Sequence, residues 1–100
     1  MHTVYILHSQ SLDKHYIGRS ENLETRINQH LNKFYLDSFT TRADDWRVIF
    51  TIECTNKSQA LAIEHHIKQM KSTVYIKNLI KYPEMTQKLL TKFKSVGSSR

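Results

Sequence analysis

An α+β fold is predicted by three features of this 100-residue sequence. It is a small three-stranded antiparallel sheet flanked by helices, in the order β-β-α-β-α-α-α. Two short β-branched and aromatic runs, Thr3–Leu7 and His15–Gly18, flank a polar stretch, Ser9–Lys14. A longer run of the same character, Trp46–Cys54, stands alone in mid-chain. Elsewhere apolar residues recur at helical spacing, which gives helices to pack on the sheet.

The first two runs read as a hairpin over residues 3–19 with a longer loop. Strand alternation sets Tyr5 with Thr3 and Leu7 on one face, and Tyr16 with Gly18 on one face. Gly18 marks a point where the backbone needs unusual dihedrals or a close approach to a neighbour. Ser20 is a candidate N-cap, with Glu21 and Glu24 in the first turn where the helix dipole favours acids. Leu23, Ile27, His30, Leu31 and Phe34 then make a buried stripe on a helix over residues 21–34. Residues 35–45 read as a surface loop. In the third strand Val48, Phe50 and Ile52 are expected on one face. The turn Thr55–Ser58 ends in a cap candidate, and Ala60, Ile63, Ile67 and Met70 form a second stripe to about residue 71. Val74–Tyr82 is a third helix. Pro83 ends it and opens a fourth, with Met85, Leu89 and Phe93 inward. Residues 95–100 should fray.

Composition removes several classes. The single cysteine, Cys54, cannot form an internal disulfide, which excludes a disulfide-stapled secreted scaffold. The run Val48–Ile52 is far short of the ~20 apolar residues that span a bilayer. No export signal is visible, so a soluble cytoplasmic domain is expected. Two glycines and one proline argue against a linker or low-complexity chain. The net charge of +6 is unevenly spread. Residues 1–64 hold seven cations against eight acids, whereas residues 65–100 hold seven lysines and Arg100 against Glu84 alone. A basic C-terminal third suits a polyanion, because Lys and Arg displace counterions from phosphates. A solubilising face has the same composition.

Glu64 breaks the pattern. It falls between Ala60 and Ile67 in the apolar stripe of its helix, so its carboxylate should face the sheet. An unpaired buried charge costs several kcal/mol, so Glu64 must be paired with an Arg or Lys, neutralised, or bound to a hard divalent cation such as Mg²⁺. Arg26 and His30 are an i, i+4 pair leaning toward the same sheet, one able to supply positive charge and the other proton transfer. Tyr5 and Tyr16 stand on the two arms of the hairpin, as packing at the rim of the core or as phenols assisted by a nearby cation. His65 and His66 adjoin Glu64 but point about 100° apart, and no HExxH or paired CxxC pattern supports zinc. Trp46 is read as packing.

These residues resemble the GIY-YIG nucleases. Thr3-Val4-Tyr5 and Tyr16-Ile17-Gly18 stand in the places of the two name-giving tripeptides, with Thr3 where the first glycine usually stands. Asn22-Leu23-Glu24, Arg26 and His30 follow as in the small stand-alone members. Trp46–Phe50 resembles their third strand, and Glu64, Ile67, Lys68 and Lys71 their last motif. The resemblance covers residues 3–81. It implies hydrolysis of a nucleic-acid phosphodiester, with DNA as the expected partner, and one divalent ion, Mg²⁺ or Mn²⁺. By position, Glu64 is the metal ligand. Arg26 stabilises the phosphate and the transition state, Tyr5 and Tyr16 orient and activate water, and His30 completes the set. Arg19, Lys68 and Lys71 are the expected phosphate contacts. On this reading residues 1–82 are the nuclease domain, and 83–100 a C-terminal helix with a basic tail. A binding module without catalysis, or a partner-dependent subunit on the same fold, is the alternative.

Overall fold

A computed structural model describes residues 2–25 and 45–94. Three strands, β1 (His2–Ser9), β2 (Lys14–Ser20) and β3 (Trp46–Cys54), precede three helices, α1 (Lys57–Met70), α2 (Thr73–Lys81) and α3 (Pro83–Lys92). The strands form one antiparallel sheet in the order β2-β1-β3. The hairpin runs from Thr3 opposite Ser20 to Ser9 opposite Lys14, leaving a four-residue turn, residues 10–13. Asp13 sits there at φ 51°, the left-handed conformation that Asp tolerates better than most residues. Asp45 ties this turn to the start of β3. Its carboxylate accepts from Ser9 Oγ at 2.6 Å, Ser11 N at 2.8 Å and Ser11 Oγ at 3.1 Å.

The α+β architecture is as the sequence predicts, but β3 is not a simple alternating strand. Ile6 lies opposite Phe50 and Leu7 opposite Val48, so Ile49 is an extra residue in a bulge. Past the bulge the faces exchange. Val48 therefore lies with Trp46 on the face of Leu7, apart from Phe50 and Ile52, which corrects the expected single face. Trp46 is buried against Tyr5 and Leu7, whereas Ile52 and Cys54 join Val4 and Ile6 under the helices.

That second cluster is the main core: Val4, Ile6, Ile52 and Cys54 from the sheet, Ala60, Ile63 and Ile67 from α1, Ile76 and Leu79 from α2, and Leu89 from α3. Met85 and Phe93 pack against it, as expected. Met70 does not; at 43% exposure it lies where α1 leaves the sheet. The caps also differ from expectation. Asn56 starts α1, its side chain accepting from Gln59 N at 2.9 Å. Asn22, not Ser20, caps the helical turn at 23–25 by accepting from Thr25 N at 3.1 Å. Ser20 instead bonds both backbone groups of Asn22. Pro83 is at the start of α3 as predicted, where a missing N–H costs nothing. The readings of residues 26–44 and 95–100 lie outside the described residues.

Candidate nuclease site

Tyr5 and Tyr16 meet on the face of the sheet opposite the three helices. Register places Tyr5 across from Gly18, and Tyr16 two residues earlier on β2, so the tyrosines are diagonal cross-strand neighbours. Their ring centroids are 6.5 Å apart and the planes 30° off parallel. Tyr5 is buried and Tyr16 half-buried. Gly18 permits this packing. A Cβ there would lie 2.6 Å from Tyr5 Oη, 2.7 Å from Tyr5 Cζ and 3.1 Å from Tyr16 Cε1. Its φ is not positive, so close approach, not backbone freedom, is the reason for a glycine.

Glu64 faces the other side of β2. α1 packs on β1 and β2 through Ala60, Ile63 and Ile67, and Glu64 lies among them with its side chain 14% exposed. Arg19 alternates with Gly18 and so reaches the helix face. Its Nε is 3.0 Å from Glu64 Oε1. This is an ion contact rather than an aligned hydrogen bond, since buried Arg19 Nε finds no hydrogen-bond partner among the described residues. Lys68, one turn along α1, places Nζ 3.0 Å from Glu64 Oε2, and its side chain is 51% exposed. The sequence correctly turns Glu64 inward, and both of the cations that answer it come from positions singled out as phosphate contacts.

Lys71 takes no part in this cluster. It is the exposed C-cap of α1 with φ 47°, and among the described residues it has no ion-pair partner. Arg26 and His30 lie outside the described residues. Of the predicted set, Tyr5 is thus brought to Tyr16, and Arg19 and Lys68 to Glu64, with edge strand β2 between the groups. One neighbour was missed. His2, buried at 5% exposure, receives Arg19 Nη1 at 3.4 Å on Nε2. Alternation with Val4 and Ile6 puts His2 on the helix face, but nothing in the sequence sets it apart from other strand residues.

Glu64 offers a divalent cation one carboxylate, whose two oxygens are paired with Arg19 and Lys68. Mg²⁺ takes oxygen ligands, keeps several waters, and often needs only one or two carboxylates beside substrate phosphate. Among the described residues no three His, Cys, Asp or Glu side chains cluster to make a complete protein cage. An ion at Oε2 would have to displace Lys68, whose side chain is 51% exposed.

The described residues form a small α+β domain with a three-stranded sheet, a tyrosine pair on its edge hairpin and an inward carboxylate on α1. The family model of the GIY-YIG catalytic domain matches residues 1–78, and the chain belongs to that family. Membership carries nuclease-type hydrolytic activity and nucleic-acid binding in general. No curated protein and no solved structure matches the chain. Among the described residues no helix is long and apolar enough to cross a membrane.

Proposed function

We propose that the protein is a divalent-metal-dependent endonuclease that hydrolyses phosphodiester bonds in DNA. The observation that carries this reading is Glu64: a carboxylate 14% exposed, in an otherwise apolar helix stripe, matched by a cation at each oxygen. Glu64 would hold Mg²⁺ or Mn²⁺, which when bound neutralises phosphate charge. Arg19 and Lys68, released from Glu64 in part, would bind phosphate oxygens, and Lys71 would extend the contact along the strand. Tyr5 and Tyr16, on the other face of the sheet, would act around the edge of β2, one of them as a phenolate that orients the attacking water and takes its proton. Arg26 offsets charge on the pentacovalent phosphate, and His30 shuttles a proton.

The ion contacts themselves favour a second reading, in which Glu64 is only a structural anchor in a nucleic-acid-binding module. Glu64→Gln separates the two. Linear and branched DNA, and RNA as a comparison, are incubated with wild type and variant in Mn²⁺ or in EDTA, and both proteins are melted. The nuclease reading expects Mn²⁺-dependent cleavage of DNA, lost in the variant at temperatures where it remains folded. The structural reading expects no cleavage by either protein and a loss of about 3–5 kcal/mol in the variant.

A further inference from the structure

We propose that His2 is a positioning residue for the Glu64 site, whose neutral imidazole holds the Arg19 guanidinium in place and whose protonation releases it. The proposal rests on the reading of Glu64 and Arg19 as carboxylate and phosphate-binding cation of a nuclease.

Sheet geometry brings the two side chains together. Val4 lies opposite Arg19, and His2 is two residues before Val4, so His2 and Arg19 share the helix face as diagonal neighbours. Arg19 Nη1 approaches His2 Nε2 at 3.4 Å, while Arg19 Nε approaches Glu64 Oε1 at 3.0 Å. The guanidinium thus spans the two residues. It can only donate, so His2 Nε2 must accept and the ring proton must sit on Nδ1. That assignment follows from the network, and it aims Nδ1–H at Glu21 Oε2, 4.0 Å away.

A proton on Nε2 ends this arrangement. The nitrogen can no longer accept, and a second positive charge appears beside the guanidinium. The surroundings resist that charge. Burial of His2 is the largest cause, and Arg19 the next, both lowering its pKa; Glu21 on the other side opposes them, and Lys57 of α1 and the amino terminus add to the lowering. His2 therefore stays neutral through neutral pH and charges below the ordinary imidazole value of 6.5. A cleft lined by His2, Glu21, Thr55, Asn56 and Lys57 gives the ring a route for proton exchange.

The test uses the full chain. The ring nitrogens of His2 and the Nε–H of Arg19 are followed by NMR through a pH titration, in wild type, His2→Gln and His2→Ala. DNA cleavage is measured over the same range. Arg19 Nε–H is expected to shift with the His2 midpoint in wild type. In His2→Gln, whose amide oxygen accepts but does not titrate, it should stay at its high-pH position. In His2→Ala it should be displaced at every pH. Cleavage should fall roughly 10-fold in His2→Ala, as for loss of supporting hydrogen bonds around other sites. His2→Gln should restore it and remove the acid limb. An Arg19 resonance indifferent to the His2 titration and to both substitutions overturns the proposal. Absence of cleavage in wild type overturns the nuclease reading instead, and the NMR titration still decides whether His2 holds Arg19.

Discussion

The two faces of the sheet hold their candidate site residues by different means. Under the helices, Glu64 is set by burial: Ala60, Ile63 and Ile67 fix the rotation of α1, and the carboxylate is carried inward with them. Its charge is then met by Arg19 and Lys68, at 3.0 Å each. On the opposite face, Tyr5 and Tyr16 are set by contact, ring against backbone, in a smaller cluster with Leu7 and Trp46. The first arrangement tolerates small movements because charge attraction falls slowly with distance. The second does not, because the Tyr5 ring fills the space of a missing Cβ. The carboxylate side should therefore fail through loss of stability or charge, and the tyrosine side through steric change.

The largest effect expected is on the helix face. Ile63 is completely buried beside Glu64, and Ile63→Ala should cost about 2–5 kcal/mol in urea unfolding. A smaller loss would mean that α1 is held by its ion contacts and not by packing. Gly18→Ala sharpens the other side. Overpacking of this kind costs about 1–3 kcal/mol, and the displaced Tyr5 should change the near-ultraviolet dichroism and reduce cleavage further than stability accounts for. An unchanged aromatic signal would show that the sheet yields at Gly18 and the tyrosines are not held by contact.

Acid should affect the faces at different pH. Burial lowers the pKa of His2, His15 and His66. The folded state then binds fewer protons than the unfolded chain, so their contribution is complete above about 6.5 and is lost as pH falls through the lowered values. Asp45 is held at about 2, from 3.8, by the Ser9 hydroxyl first and then the Ser11 backbone N–H. Its contribution is present above 3.8 and disappears as pH falls toward 2. A melting-temperature profile of Asp45→Asn should lose the lower limb and keep the upper one.

Charge reversal gives a smaller effect, seen in binding. Lys68→Glu with Lys71→Glu should weaken nucleic-acid binding and reduce the salt slope by up to about 0.9 per phosphate contact removed. Lys88→Glu with Lys92→Glu, on α3, should change it less. An equal slope in the first pair and wild type would make the basic third a solvated face. The smallest effect is at the end of α1. Lys71 occupies a left-handed conformation at φ 47°, so Lys71→Gly should gain about 0.5–1 kcal/mol in thermal unfolding.

Much of this was legible in the chain. The three strands, the three C-terminal helices and the start at Pro83 follow from periodicity and from one residue without an N–H. Glu64 announced itself as a charge in an apolar stripe, and Tyr5, Tyr16 and Gly18 as alternating positions on a hairpin. His2 carried the same alternation but no unusual neighbour, so nothing in the sequence set it apart.

What the sequence determined by itself was whatever depends on residues a few positions apart: helix stripes, strand alternation, the inward turn of Glu64 and the concentration of positive charge after residue 64. The tertiary structure decided the rest. The bulge at Ile49 moved Val48 and Trp46 to the opposite face from Ile52, and it exists only in the pairing with β1. The reason for Gly18 lay in Tyr5, thirteen positions away and directly opposite only once the hairpin had closed. The partners of Glu64 and Arg19 were settled by strand register and by the seating of α1 on β2. Register and seating are properties of the whole packed chain, since each side chain's place depends on neighbours that are distant in sequence.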